Sequence, residues 1–241
     1  MNFEEFVLAA SLSDLGEEPR AREHADAVEF RMDLAAERGV DPLAALDDYD
    51  GELPIIATNR ATWEGGEADN DAARLSELAE AAELACVCAV DVELTSLARG
   101  EGETEGEVGA DRVADADRVV ERARRSDTAV IASVHDFERT PPRDDLRGLL
   151  DEATERADVG KLAVTARDAD DVLDLLAVTR EFASAGERVA TMAMGAAGRH
   201  SRAVAPIYGS RIGYAPVDPA EATAPGQYDL ATLARLVDEL R

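Results

Sequence analysis

Short apolar runs recur along the chain and alternate with stretches whose apolar residues lie three or four positions apart. Most of the runs are hydrophobic at consecutive positions, which is typical of parallel strands covered by helices. They predict strands at Phe6–Ser11, Val28–Asp33, Leu53–Thr58, Cys86–Glu93, Ala129–His135, Gly160–Thr165, Arg188–Met194 and Arg211–Ala215. Eight strands alternating with helices in 241 residues predict one α/β domain over residues 1–241, a single (β/α)8 TIM barrel.

The stretches between the runs carry helix signals of unequal strength. Thr140-Pro141 predicts the start of a helix whose apolar stripe contains Leu146 and Leu150, and Gly186 predicts the end of the next helix. The helices after the first two strands are predicted to be short. The Gly- and Glu-rich stretch Arg99–Gly109 predicts a solvated loop.

Acidic residues dominate the charge of the chain. It has 52 Asp and Glu against 25 Lys and Arg, a net charge of −27, yet 46% of its residues are hydrophobic, as in folded proteins. Such a chain is repelled by phosphate backbones and anionic lipids, so neither nucleic acid nor membrane is an expected partner. Without a long apolar stretch or a basic N-terminal segment, it is expected to be cytoplasmic.

Lys161 is the one lysine among the 25 basic residues, and the others are arginines. An acidic, arginine-rich surface suits molar salt, where the Debye length is about 3 Å, and predicts a halophilic origin. Lys161 itself lies in an apolar run. Unlike arginine, a desolvated lysine can lose its proton and act as a nucleophile. The alternative is a lysine that survives by chance and extends its ammonium group to solvent.

Polar residues cluster where the predicted strands end, which is where barrel enzymes place their active sites. They are Glu29, Arg31, Asp33, Arg60, Glu64, His135, Lys161, Arg202, Thr223 and Gln227. Glu29 and Arg31 could instead form an ion pair lining the barrel, and His135 could be a hydrogen-bonded core histidine. His24 and His200 are expected at the surface or at helix ends.

Two further sequence features are weaker. The glycines of Gly195–Gly198 could cradle a phosphate, although so short a pattern is not specific. Cys86 and Cys88 are expected to point the same way from one strand as buried thiols; alone they make an incomplete zinc site.

A lysine and a histidine at neighbouring strand ends favour imine chemistry. A lysine amine condenses with a ketone, and the iminium acidifies the adjacent carbon so that a base can remove its proton. His135 suits transfer in both directions at neutral pH. Arg31, Arg60 and Arg202 are expected to favour the uncharged amine and to clamp a substrate carboxylate.

The chain resembles type I 3-dehydroquinate dehydratase over nearly its whole length. The resemblance rests on ordered motifs: ExRxD at Glu29–Asp33, RxxxEGG at Arg60–Gly66, SVHDF at Ser133–Phe137, the strand Lys161, SR at Ser201–Arg202 and APGQ at Ala224–Gln227. It implies a barrel that dehydrates the small molecule 3-dehydroquinate to 3-dehydroshikimate without metal or cofactor. A homodimer is compatible with the family.

The resemblance also implies residue roles. Lys161 would form the imine at C3, His135 would move the proton between C2 and the departing C1 hydroxyl, and Glu64 would orient His135. The substrate-binding residues would be Arg202 at the carboxylate, Thr223 and Gln227 near C1 on a lid, and Glu29, Arg31 and Arg60 at the ring hydroxyls. The family often has Ser in place of Thr223 and a lysine within the segment that reads GAAG here.

Two other functions fit parts of the pattern. A class I aldolase on the same fold would use a barrel lysine but usually needs a phosphate site after strands seven and eight. A non-catalytic barrel that binds an anionic metabolite would need Arg202 and Glu29 but no reactive lysine.

Overall fold

The structure is a computed structural model that describes residues 1–97 and 108–240, apart from the side chains of residues 108–110. Most of the predicted loop Arg99–Gly109 lies outside the described residues, and its last two residues begin a helix. The strands are β1 (Val7–Leu12), β2 (Ala27–Arg31), β3 (Ile55–Thr58), β4 (Val87–Glu93), β5 (Ala129–Asp136), β6 (Val159–Thr165), β7 (Val189–Met194) and β8 (Ile212–Pro216). Each overlaps a predicted strand.

The described α-helices are α1 (Met32–Glu37), α2 (Pro42–Asp47), α3 (Asp71–Ala81), α4 (Leu94–Leu97), α5 (Val108–Arg125), α6 (Arg143–Arg156), α7 (Ala169–Ala185), α8 (Gly195–Gly198), α9 (Ser201–Tyr208) and α10 (Leu230–Leu240). Short 3-10 helices lie at Leu15–Arg20, Thr62–Glu64 and Pro219–Glu221. The helices that follow β1 and β2 are short, as predicted, at six residues each. No helix within the described ranges has the length and apolar character needed to cross a membrane.

The eight strands form one parallel sheet in the order β7-β6-β5-β4-β3-β2-β1-β8, so the predicted (β/α)8 barrel is confirmed. The seam between β7 and β8 is bridged at its N-terminal end. There the Arg211 amide donates to the Val189 carbonyl at 2.7 Å, and the Thr191 amide donates to Ser210 Oγ at 2.9 Å. The barrel is therefore nearly closed, with its least complete ladder at this seam.

The barrel interior changes character from the N-terminal to the C-terminal ends of the strands. Near the N-terminal ends it is filled by small and apolar side chains such as Ala9, Ala27 and Ile131, with the buried ring of Phe3 packed against them. Towards the other end, strand register places Glu93, Ser133 and Lys161 at one level. The apolar layer thus supports a layer of polar and charged groups.

Two predicted element ends are wrong. β2 ends at Arg31 and not at Asp33, because Met32 and Ala35 turn into the outer core as the start of α1. Thr140-Pro141 does not begin a helix: α6 begins at Arg143, and the Thr140 hydroxyl donates to the Thr165 carbonyl at 3.0 Å.

The prediction for the two thiols is also wrong. Cys86 and Cys88 pack against different clusters, outside and inside the barrel respectively, and both are half-buried. Cys86 lies in the turn before β4, and the register of β3 and β4 shifts between Ile55 and Ile56, so the two cysteines do not follow the regular alternation of one strand.

Candidate active site

One cavity at the C-terminal end of the barrel brings together all the residues predicted to be catalytic or substrate-binding; Asp33 lies outside its lining. Its lining is Glu29, Arg31, Thr58, Arg60, Glu64, Gly65, His135, Phe137, Lys161, Ala163, Met192, Met194, Arg202, Tyr214, Thr223, Ala224 and Gln227. The side chains come from strand ends and from the loops that follow them. Residues far apart in the chain therefore meet because parallel strands all end at the same rim.

Lys161 is buried on β6 with its amine facing an anion. Its Nζ donates to Asp91 Oδ2 at 2.8 Å and lies 3.9 Å from Glu29 Oε1. The same nitrogen lies 4.2 Å from the centroid of the Tyr214 ring. We expected arginines to favour an uncharged amine at this position; the structure instead surrounds the amine with groups that favour its cation.

Asp91 connects Lys161 to a buried cluster of charged side chains. Its Oδ1 accepts from Arg60 Nη2 at 2.7 Å and from Ser133 Oγ at 2.6 Å. Burial on its own would raise the pKa of Asp91, but the charges of Arg60 and Lys161 outweigh burial and hold that pKa well below its usual range. Asp91 is therefore an anion at any physiological pH.

Arg60 belongs to this cluster more than to the open cavity. Its Nη1 donates to Glu93 Oε1 at 2.9 Å and to Ser133 Oγ at 2.8 Å, and it lies 3.9 Å from Glu64. Glu93 also accepts from Arg74 Nη1 at 2.6 Å. Buried charges are tolerated when they are paired and hydrogen-bonded, and the charges in this cluster are balanced by their neighbours.

His135 and Glu64 form a hydrogen-bonded pair beside Lys161. His135 Nδ1 lies 2.8 Å from Glu64 Oε1, so Nε2 is the ring nitrogen left for other chemistry. Burial raises the pKa of Glu64 to about 8. Burial, with the charges of Arg60 and Lys161, holds the pKa of His135 well below its ordinary value, so the imidazole is a neutral base near pH 7.

The RxxxEGG motif shapes the loop that carries Glu64. Gly65 ends the short 3-10 helix with a φ of 79°, and a Cβ there would lie 2.5 Å from the Phe137 ring. A Cβ on Gly66 would lie 2.1 Å from the Arg60 carbonyl oxygen. Phe137 in turn stacks on His135 at 6.0 Å between centroids. Only glycines let this loop fold tightly enough to bring Glu64 to the imidazole.

Arg202 enters the cavity from α9. The side chain is buried, and its Nε and Nη2 atoms have no hydrogen-bond acceptor among the described residues. Burial alone lowers the pKa of this guanidinium to about 10. A buried unpaired cation is costly, so the cavity offers a built site for an anion at this point.

Glu29 and Arg31 line the opposite part of the cavity without pairing to each other. Glu29 accepts from Ser11 Oγ at 2.5 Å and from Thr58 Oγ1 at 3.3 Å. Arg31 binds Asp33 through both Nε and Nη2, at 2.9 and 2.6 Å. The alternative of a Glu29–Arg31 ion pair is therefore wrong, and the remaining donors and acceptors of both can face a ligand.

Thr223 and Gln227 lie in a loop that folds over the cavity rim. Gln227 Oε1 accepts from the Thr223 amide at 2.8 Å and from the Ala224 amide at 3.1 Å. The Gly195 amide donates to the Pro225 carbonyl at 3.1 Å. The Gly195 amide is therefore not free to bind a phosphate, and Gly198 lets the backbone pack closely against Ala193.

Several groups at the site escaped the sequence reading. Asp91, Glu93, Ser133 and Tyr214 contact the predicted residues. No candidate was taken from β4, and the candidates from β5 and from the segment after β8 were His135, Thr223 and Gln227. Asp91 and Glu93 stand two apart in the apolar run AVDVE, which is the signal that could have identified them. Of the other histidines, His24 is half-buried and His200 is exposed beside α9, as expected.

The chain is similar to a family of known enzymes. A family model described as Type I 3-dehydroquinase matches residues 7–240. The chain is 57% identical over 241 residues to the 3-dehydroquinate dehydratase of Haloarcula marismortui, covering 100% of this chain and 99% of that protein. It is 52% identical to that of Halobacterium salinarum, with 100% of both chains covered. These relatives come from halophilic archaea, which supports the predicted halophilic character.

The fold is also similar to solved structures. The 3-dehydroquinate dehydratase of Geobacillus kaustophilus matches with a TM-score of 0.81 and 27% identity, over 98% of this chain and 91% of that chain. The type I enzyme of Clostridium difficile, solved with covalently modified comenic acid, matches with a TM-score of 0.80 and 25% identity, over 98% and 92%.

Proposed function

The chain belongs to the type I 3-dehydroquinase family and is a hydro-lyase, and we propose that it dehydrates 3-dehydroquinate through an imine on Lys161 with His135 as general acid and base. The product would be 3-dehydroshikimate, with one water released. The observation that carries this proposal is that a buried lysine, a neutral histidine and an unpaired arginine face one cavity.

Arg202 supplies the site for the substrate carboxylate. Its two unpaired N–H groups match a carboxylate, which can accept two parallel hydrogen bonds from a guanidinium. Binding there supplies the missing negative charge and orients the ring towards Lys161. Glu29 and Arg31 then bind ring hydroxyls, since their outward groups are held in place by Ser11 and Asp33.

Imine formation converts an ammonium and a ketone into an iminium and water. His135 accepts a proton from Lys161, and the Nζ lone pair attacks C3. The carbonyl oxygen takes up the proton held by His135 and a second proton from the nitrogen and leaves as water, so His135 is again neutral. His135 then removes the proton from C2, and the electron pair of that C–H bond moves towards the iminium nitrogen to give an enamine. The enamine expels the C1 hydroxyl, which receives the proton held by His135.

Arg60 and Glu64 have supporting parts in this proposal. Glu64 holds Nδ1 of His135, so that Nε2 faces the substrate. Arg60 is engaged by Asp91 and Glu93, and it contributes mainly positive potential rather than a free hydroxyl-binding group. The loop with Thr223 and Gln227 closes over the C1 side and limits water in the cavity.

Borohydride trapping tests the proposal directly. The folded protein in molar KCl is incubated with 3-dehydroquinate and sodium borohydride, and its intact mass is measured. We expect one reduced adduct on Lys161, the one lysine of the chain, and peptide mapping distinguishes it from an adduct on the amine of Met1. Lys161→Arg is the matched control, since it keeps the positive charge beside Asp91 but cannot form an imine.

Two outcomes would point elsewhere. An adduct accompanied by release of a small carbonyl fragment would favour the aldolase. Binding of substrate with no adduct and no enone absorbance would favour a non-catalytic barrel.

A further inference from the structure

Lys161, the lysine proposed to react, forms an ion pair with Asp91. Lys161 must either leave this ion pair or react while it is in it. Its partner Asp91 is fully enclosed, at 1% exposure, and its other oxygen is bound by Arg60 and Ser133. These three donors come from β6, from the loop after β3 and from β5, so the carboxylate is fixed by independent elements. Asp91 therefore cannot move with Lys161 during the reaction, and its carboxylate stays in place throughout.

The positive charge at this point survives imine formation. The ammonium nitrogen begins with three protons, of which two leave with the carbonyl oxygen as water and one stays on the iminium nitrogen. The nitrogen becomes neutral when the proton at C2 is taken by His135, because the electron pair of the C–H bond then forms the enamine. The positive charge has by then moved to the imidazolium, and it returns to nitrogen when the C1 hydroxyl leaves.

We propose that Asp91 is the stationary counterion of this cycle. It pairs with the ammonium of Lys161 in the resting enzyme, accepts the single N–H of the iminium, and stabilises the His135 imidazolium while the nitrogen is neutral. This inference rests on the proposed function, because it needs an imine on Lys161 and proton transfer by His135.

The surroundings of Asp91 favour it over the other acids for this role. The charge of Asp91 opposes the fall in the pKa of His135, so the carboxylate acts on the imidazole as well as on the amine. Glu29 is 3.9 Å from Nζ and already bonded to Ser11, and Glu93 binds Arg60 and Arg74 instead. The charged or titratable groups facing this region are Glu29, Arg31, Arg60, Glu64, Asp91, Glu93, His135, Lys161, Arg202 and Tyr214.

Asp91 is a counterion and not a proton acceptor. The guanidinium of Arg60 remains bonded to Oδ1 throughout the cycle, which keeps the carboxylate ionised when the nitrogen loses its charge. A carboxylate that stays ionised cannot store the C2 proton, so that proton must go to His135. Its contribution is electrostatic, through a fixed charge whose orientation need not change during the reaction.

Because Lys161 is the one lysine in the chain, its charge can be measured without any substitution. Protein labelled with 13C-lysine gives one Cε resonance, whose chemical shift distinguishes ammonium from amine. We expect the ammonium signal at pH 7 in the wild-type protein without substrate. A wild-type signal of the neutral amine at pH 7 would overturn the proposal.

Asp91→Asn tests the counterion more strongly, with Glu93→Gln as the matched control in the same cluster. In Asp91→Asn, the amine signal of the lysine should be stronger than in wild type at the same pH, because the cation has lost its anion. Single-turnover elimination should slow by about 10²–10³-fold, as for removal of one preorganised electrostatic group. In Glu93→Gln, which does not contact Lys161, the lysine signal should match that of wild type.

The outcomes separate this inference from the proposed function. If wild-type protein is trapped by borohydride but Asp91→Asn gives the wild-type lysine signal and turns over like wild type, Asp91 is not the counterion and the imine mechanism stands. If wild-type protein forms no adduct, the proposed function fails. The wild-type spectrum decides the resting charge even where Asp91→Asn does not fold.

Discussion

The Lys161 wall of the cavity (Lys161, Asp91, Arg60 and Glu93) and the wall formed by Arg202 both bury cations, but only the Lys161 wall contains the anions that balance them. Lys161 and Arg60 each lie within 2.9 Å of a carboxylate oxygen. Arg202 is similarly buried, and two of its nitrogen atoms have no acceptor among the described residues.

This difference indicates that the two walls of the cavity have different functions. Groups on the Lys161 wall are held in place before any substrate arrives, as electrostatic preorganisation requires. Arg202 keeps an unsatisfied charge whose burial costs stability until a carboxylate binds. The protein thus balances the buried charges of the Lys161 wall itself, and we infer that a bound substrate balances the charge of Arg202.

The largest expected effect comes from removing the amine of the Lys161 wall. Lys161→Ala should reduce turnover of 3-dehydroquinate to background, because no imine can form, while substrate still binds at Arg202. Enone absorbance measures the first result and calorimetric titration the second. Lys161→Arg should be equally inactive but unfold at a higher temperature than Lys161→Ala, since it keeps a cation beside Asp91. Appreciable activity in either variant contradicts the imine mechanism.

His135→Ala should have the next largest effect. General acid–base catalysis typically contributes about 10²–10⁴-fold, and we expect a loss in kcat of that size. Because Lys161 and Asp91 remain in place, slow borohydride trapping should persist in this variant. Unchanged turnover would remove His135 from the proton-transfer steps. Complete loss of trapping would mean that the imidazole also controls imine formation.

The third prediction sets the two walls directly against each other. Arg202→Met should weaken substrate binding by about 10–100-fold, the usual range for a lost hydrogen bond to a charged group, and should raise the melting temperature because it removes an unpaired buried charge. Arg60→Met should lower the melting temperature, because it leaves Asp91 and Glu93 partly uncompensated. KM and thermal unfolding in fixed KCl measure both. If both substitutions destabilise equally, the comparison of the walls is wrong.

The fold and most of the residues that line the site could be predicted from the sequence, and the reason is physical. Strands buried on both faces must be apolar along their length, so each run is visible, and polar residues that end such runs meet at the barrel rim. Lys161 and His135 were found in this way. Arg202 was expected to bind the carboxylate from the resemblance, but its lack of a partner needed the structure.

Pairing within the site could not be predicted in the same way. Which anion meets Lys161 depends on barrel register, and Asp91 lies 70 residues away in the chain. Asp33 was expected to continue the face of β2, but the chain turns into α1 after Arg31 and brings that carboxylate back onto the guanidinium. Thr140 resembled a helix cap, yet its hydroxyl binds the Thr165 carbonyl across the barrel rim. The Lys161 and Thr140 pairings are contacts between distant segments, and the turn after Arg31 follows from the packing of Met32 and Ala35 in the outer core. A local pattern encodes neither.

The smallest expected effect concerns the His135–Glu64 pair, and it tests whether Glu64 is neutral in the folded protein at pH 7. Burial raises the pKa of Glu64 from 4.5 to about 8, so its contribution to stability is complete below pH 4.5 and is lost as pH rises through 8. The pKa of His135 is lowered instead, so the contribution of His135 to stability is already present above its ordinary pKa of 6.5. Between pH 7 and 8, Glu64 therefore sets the slope. The free energy of unfolding should fall by about 1 kcal/mol over this range. Urea unfolding in constant KCl should show this decline in the wild-type protein but not in Glu64→Gln, which stays neutral. The same decline in Glu64→Gln would show that another group causes it and that Glu64 does not take up a proton on folding in this pH range.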